Sequence, residues 1–263
     1  MANPITKVIS ANDVKHGNVI THVNKKGTIT TLAPPLLRSS TGLNLDARFD
    51  NPRFYGGDSN GLQTTTTYTI ATGADDGLAA TSYKSSSSNS TYTTGFTNSS
   101  AISYLGVNYD DEEIEYKYYA GYFRFTNIAA AQGATIKSAY LSLYKTAYIG
   151  FTGNHSFYVA ALDADNRAAP TTASHLNHSN YTTAEVVWND DGAIRTASND
   201  SFVKSPDIKT VIQEIVDRPG WSTGNSIVLM FFQKTAPSDT YAMPRFEFYD
   251  DSASNTPKLE ITV

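Results

Sequence analysis

Side chains able to do chemistry are sparse in this sequence, and their spacing limits what they could do. Five histidines occur, His16, His22, His155, His175 and His178. His175 and His178 lie three apart in a Ser/Asn-rich stretch, and a metal site there needs further ligands that the sequence does not place. They read as ordinary loop histidines. The run Asp110-Asp111-Glu112-Glu113 supplies hard-oxygen ligand types, and Asp163-Ala164-Asp165-Asn166 sets carboxylates at alternate positions, as a calcium loop does. Neither run carries the glycine and the distant bidentate glutamate that complete such a loop, so solvated turn carboxylates are the first reading. Calcium held by Asp163 and Asp165 is the alternative, and no other cofactor is expected. Glycoside hydrolysis needs two carboxylates facing each other across a cleft, and 25 acidic residues offer pairs without singling one out. A nucleophile elbow, a phosphate loop and a zinc-protease helix are all missing from the sequence. The chain is therefore read as a non-enzyme.

Aromatic rings are the remaining groups with recognition chemistry, because a flat ring can stack on a sugar. Tyr148, Phe151 and Tyr158 are the candidates, the first two in the turn-like segment Tyr148-Ile149-Gly150-Phe151-Thr152-Gly153. Trp188 and Trp221 each adjoin a strand or helix junction and read as core.

The elements that must position these groups follow from composition and periodicity. Hydrophobic residues make up 40% of the 263 and charged residues 17%, enough apolar surface for a core and too little charge for a disordered tail. The apolar share leans on 17 Tyr and 12 Phe among many Ser, Thr and Asn, a composition of half-buried strands and polar turns. A net charge of −5 with scattered Lys and Arg leaves no footprint for a nucleic-acid backbone. Cysteine is absent, which removes disulfides and thiolate metal sites. The first residues, Met1-Ala2-Asn3-Pro4-Ile5-Thr6-Lys7, lack the pattern of a signal peptide, and no run approaches the roughly 18–20 apolar residues of a membrane span. A soluble protein without a signal peptide and without a membrane partner is expected.

Residues 1–67 read as an N-terminal arm. Val19-Ile20-Thr21-His22-Val23 and Thr28-Ile29-Thr30-Thr31-Leu32 flank Asn24-Lys25-Lys26-Gly27 as a hairpin, and Ala33-Pro34-Pro35-Leu36-Leu37 then favours extended geometry. The apolar residues Val19, Ile20, Val23, Ile29, Leu32, Leu36 and Leu37 would dock the arm on a partner or a second subunit. Residues 68–263 read as the main module, with strand-like character beginning at Thr64. Ala120–Phe125 alternates so that Phe123 and Phe125 share one face, and Ile136, Leu141 and Leu143 share another once a bulge near Ser138 is allowed. Ser226–Phe232 is apolar throughout and predicts a central strand. Residues 81–100 fit either a weak strand pair or an exposed loop. One helix is predicted over about 206–217, with Ser205 as N-cap, Pro206 in the first turn, and Ile208, Val211, Ile212, Ile215 and Val216 on one face. Pro219-Gly220 ends it, and its apolar face should plug an edge of the sandwich.

Several ordered segments resemble a known family. They are Phe123-Arg124-Phe125-Thr126-Asn127-Ile128, then Gln132-Gly133-Ala134-Thr135-Ile136-Lys137-Ser138-Ala139-Tyr140-Leu141, then Ala161-Leu162-Asp163-Ala164-Asp165-Asn166. Thr183-Ala184-Glu185-Val186-Val187-Trp188, the start at Ser205-Pro206-Asp207-Ile208, and Ile212 to Trp221 leading into Gly224–Leu229 complete the series. Together they resemble DNRLRE-type domains, β-sandwich modules of bacterial and phage surface proteins that are grouped with carbohydrate-binding modules. The likeness covers about residues 70–263, although the hexapeptide that names the family is missing. It implies an all-β, jelly-roll-like antiparallel β-sandwich with one short α-helix and no catalytic role. Joined to the arm, it points to a phage virion structural protein, a capsid decoration, head-fibre or tail-associated protein at the virion surface. Its partners would be capsid or tail proteins reached through the arm and further copies of the chain, as a homo-oligomer. The alternative it implies is a carbohydrate-binding module that attaches to a polysaccharide glycan.

Overall fold

The computed structural model describes residues 20–23, 29–32, 43–45, 54–56, 63–84, 88–99, 101–150, 155–189, 194–235 and 241–263. The chain divides into two units, residues 1–63 and residues 64–263. In the first, β1 (Ile20–Val23) and β2 (Ile29–Leu32) pair antiparallel with Ile20 opposite Leu32, the hairpin read from the sequence. A second antiparallel pair, β3 (Leu43–Leu45) and β4 (Phe54–Gly56), was not anticipated. Val19, Leu36, Leu37 and the turn at 24–27 lie outside the described residues.

The second unit holds β5 (Thr65–Thr69), β6 (Asp76–Tyr83), β7 (Thr94–Thr97), β8 (Ile102–Tyr104), β9 (Gly106–Asp110), β10 (Glu115–Phe125) and β11 (Ser138–Gly150). It continues with β12 (Ser156–Ala161), β13 (Val186–Asn189), β14 (Ser201–Lys204), α1 (Lys209–Val216), β15 (Ile227–Gln233), β16 (Ala242–Glu247) and β17 (Lys258–Thr262). Every pairing is antiparallel. One layer runs β13-β12-β15-β10-β6-β7, with β9 lying along the other half of β10 in line with β15. The other runs β5-β17-β11-β14, with β16 in line with β17 along β11 and β8 outside β16. A single bridge, Val107 to Ala242, joins the layers at one corner. The chain changes layer between β5 and β6, β7 and β8, β8 and β9, β10 and β11, β11 and β12, β13 and β14, β14 and β15, and β15 and β16, so most of the pairing is non-local. This is an all-β, jelly-roll-like sandwich, the fold that the resemblance implies.

Two cores result. The first lies between the layers, where Phe123 and Phe125 of β10 and Leu229 and Phe231 of β15 meet Leu141 and Leu143 of β11 and Phe246, Leu259 and Ile261. α1 packs on β11 and β12, one strand from each layer, and so closes an edge of the sandwich with Val211, Ile212, Ile215 and Val216. The second lies on the outer face of the first layer, where Tyr118, Ala120 and Tyr122 of β10 and Val228, Met230 and Phe232 of β15 are covered by Tyr92, Ala173 and Leu176. Both faces of β15 are therefore buried, which is why its sequence shows no alternation. The 81–100 stretch settles as the pair β6–β7, with Tyr92 between them buried in this second core.

Two local expectations need correction. The irregularity in β11 falls between Lys145 and Ala147, not at Ser138, where the strand begins. The helix starts at Lys209, and Ser205 does not cap it: its Oγ accepts the Leu141 amide at 3.0 Å and donates to the Pro206 carbonyl. Asp207 takes over, accepting the Lys209 amide through Oδ1 while the same oxygen accepts Ala139 N from β11. Trp188 and Trp221 are core residues, and Trp221 Nε1 donates to the Ala130 carbonyl at 3.0 Å.

Candidate functional site

Asp163 and Asp165 stand in the loop after β12, and the structure turns both carboxylates toward Arg218, just beyond α1. Arg218 Nε donates to Asp165 Oδ1 at 2.6 Å, and its Nη1 pairs with Asp163 Oδ1. The guanidinium supplies the positive charge that a cation would bring, and it fastens two loops together. Asn225 Nδ2 on the Asp165 carbonyl and the Ser226 amide on Asn166 Oδ1 complete the clamp. Gly220 lies against the clamp, and a Cβ there would have to displace the Asp165 carboxylate. An open depression of about 570 Å³ adjoins the clamp, bordered by residues 164–169 and His175. Among the described residues, no three His, Asp or Glu side chains gather to hold a metal ion.

Tyr148 and Tyr158 do not share a surface. The bulge at Lys145–Ala147 turns Tyr148 to the inner face of β11 opposite Pro244, and its ring packs against the first core. Tyr158 packs against the second core, stacked on Phe232 with ring centroids 5.7 Å apart. Lys234 Nζ, itself paired with Glu185, sits 4.7 Å from the Tyr158 ring centroid. Phe151 lies outside the described residues.

Two other titratable groups have marked environments. Asp76 starts β6 with 1% of its surface exposed, and burial, reinforced by the nearby charges of Asp250 and Asp75, raises its pKa to about 7. One carboxylate oxygen accepts the Tyr249 amide at 2.8 Å and the other has no hydrogen-bond partner. Next to it, Asp75 pairs with Arg124 Nη1 at 2.6 Å, and the same guanidinium donates to the Arg167 carbonyl and Ser226 Oγ. His178 is the other group, packed among the rings of Tyr92, Tyr181 and Phe232. Burial, with a smaller push from the Lys234 charge, lowers its pKa to about 4, so the imidazole is neutral at physiological pH. Both groups hold loops onto the first layer.

The surface that the sequence reading missed is the outer face of the second layer. Tyr140 and Tyr144 of β11 and Phe202 of β14 project from it, with Tyr144 and Phe202 edge to face at 5.2 Å. Lys204 lies 4.1 Å from the Tyr140 ring centroid and pairs with Glu260, while Lys258 lies 3.9 Å from that of Phe202. Exposed Thr65, Thr67 and Thr69 continue the face onto β5. Its signal was present in β11, where Tyr140 and Tyr144 alternate with the inward Leu141 and Leu143. No protein-family model and no curated protein matches the chain.

Proposed function

We propose that the chain is a non-catalytic structural protein of a phage virion, a capsid decoration, head-fibre or tail-associated protein, that presents the sandwich on the particle surface as a homo-oligomer. The carrying observation is that the charged groups most suited to chemistry are engaged in internal ion pairs: Asp163 and Asp165 with Arg218, and Asp75 with Arg124. A separate first unit, residues 1–63, is suited to attach such a head to capsid or tail proteins. Immunogold labelling of source particles with antibody to this chain, joined to a pull-down on procapsids, is the test. Label on the particle and capture by procapsids support the reading; bare particles and no capture overturn it.

A carbohydrate-binding role is the second reading, and the outer face of the second layer favours it. Tyr140, Tyr144 and Phe202 offer ring surface among Lys204, Lys258 and Glu260, which can hydrogen-bond sugar hydroxyls. Titration calorimetry against a panel of polysaccharides tests it. Binding that is lost in Tyr144→Ala supports this face as the site, and no heat across the panel removes the reading.

A further inference from the structure

β5 is an edge strand of the second layer. We infer that β5 (Thr65–Thr69) is the interface between two copies of this chain, joined antiparallel about a two-fold axis at Thr67 so that the second layers of both copies form one sheet. The inference deepens the homo-oligomer part of the reading above by naming its contact.

The backbone directions follow from one rung of the ladder. Thr64 and Val263 exchange both hydrogen bonds, N to O at 3.1 Å each way, so the polar groups of Thr64 point at β17. By alternation those of Thr66 and Tyr68 do too, and those of Thr65, Thr67 and Thr69 point away from β17. The side chains agree: Thr65 Oγ1 and Thr262 Oγ1 lie 2.8 Å apart, the close approach of a rung without backbone bonds. Among the described residues no strand pairs with the outward side of β5. Three residues thus offer three N–H and three C=O groups, spaced symmetrically about Thr67.

Edges of this kind are usually blunted by a charge, a proline or a bulge. β5 has none of these over five residues, Thr-Thr-Thr-Tyr-Thr. The other edges are shorter or defended: β13 has four residues, β7 is irregular against β6 and carries Gly95 at φ 64°, β14 bears Lys204, and β8 has three residues. A second copy fits the edge. Antiparallel pairing about Thr67 sets Thr67 against Thr67 and Thr65 against Thr69 twice, giving six backbone hydrogen bonds and a ladder of Thr–Thr contacts with no charge in it. The nearest like charges, the two Glu260 carboxylates opposite Thr67, would be three strand spacings apart, roughly 14 Å, beyond a Debye length at physiological salt. Each is also neutralised by Lys204.

Sedimentation equilibrium of the full chain between about 1 and 100 μM tests this, together with amide exchange of Thr65, Thr67 and Thr69. The native chain is expected to dimerise in that range, with these three amides protected in the dimer and fast on dilution. Thr67→Pro removes an N–H that faces away from β17, so the sandwich keeps its ladder and the dimer dissociation constant rises at least tenfold. If that variant does not fold, Thr65→Lys/Thr69→Lys sets the introduced ammonium groups opposite each other across the axis and gives the same readout. A native chain that is monomeric at 100 μM, a dimer unchanged in the folded variants, or amides still protected in the dilute monomer would each overturn the inference. A dimer of a protein that no virion carries would sink the functional reading alone, and a monomer found on particles would sink only this interface.

Discussion

Two buried titratable groups pull the pH dependence of stability in opposite directions. The pKa of Asp76 is raised in the folded state, from 3.8 to about 7, so its contribution is fully present below about pH 4 and is lost as pH rises toward 7. The pKa of His178 is lowered from 6.5 to about 4, so its contribution is present above about pH 6.5 and is lost as pH falls toward 4. Over pH 4–7 the two slopes oppose each other. Urea midpoints measured at unit steps across this range should rise more steeply with pH in Asp76→Asn than in the native protein, and fall more steeply in His178→Phe. Arg124 makes a different prediction. Its guanidinium is the ion-pair partner of Asp75, whose side chain is 5% exposed, and Arg124→Ala strands that buried carboxylate. A loss of about 3 kcal/mol in unfolding free energy, read by denaturant titration, is expected. None of this is legible in the sequence, where Asp75 and Asp76 stand among small residues between Gly73 and Gly77 and Arg124 alternates with Phe123 and Phe125. Arg124 is held by the Arg167 carbonyl and Ser226 Oγ, 43 and 102 positions later, and Asp76 by the Tyr249 amide, 173 positions later. Asp163 and Asp165 read from the sequence as solvated turn carboxylates or calcium ligands, whereas the structure pairs both with Arg218, which spacing alone could not bring there.

At the scale of elements, strands with one dry face were the most legible. β16 and β17 alternate in burial as they do in sequence, and the unbroken apolar run of β15 marked it as central. β11 was harder to read because Lys145 faces inward, 1% exposed, with Nζ donating to the carbonyls of Arg195 and Ala197. A lysine in the inward register looks like a surface residue, which hid both its role and the bulge that follows it. The apolar face of α1 is evident from its spacing, whereas the partners of its polar face are not. Gln213 Oε1 accepts the Ile136 amide, its Nε2 donates to the Ala134 carbonyl, and Glu214 accepts the amides of Thr183 and Ala184. Gln213→Ala should leave the helix intact and cost about 1–3 kcal/mol by freeing the 134–136 segment, detectable as a lowered thermal midpoint with unchanged far-UV circular dichroism.

For the whole molecule, strand content is readable where residues alternate, as in β16 and β17, and where an unbroken apolar run marks a central strand, as in β15. The second core is not, because its cover is drawn from polar sequence. Tyr92 sits in a Ser/Thr/Asn stretch and Leu176 between His175 and Asn177, yet the Tyr92 amide donates to Asn177 Oδ1 at 2.6 Å and the His178 amide to the Ser90 carbonyl. Those bonds clasp two polar segments over an apolar sheet face. The division at residue 63 gives a further prediction: residues 64–263 expressed alone should fold, with a near-UV spectrum and thermal midpoint matching the larger transition of the full chain. A fragment that stays unfolded would show that the first unit is needed to complete the sandwich.

Because β15 is covered on both sides, its amide protons have no local route to water. Loops can lift, and an edge strand can fray, without wetting Leu229 or Phe231. The slowest deuterium uptake in the protein should therefore belong to β15 and the half of β10 beside it, at a rate that tracks global unfolding as denaturant is added. Under mechanical or thermal stress this central ribbon is the last part to come apart and the first place where refolding must register correctly.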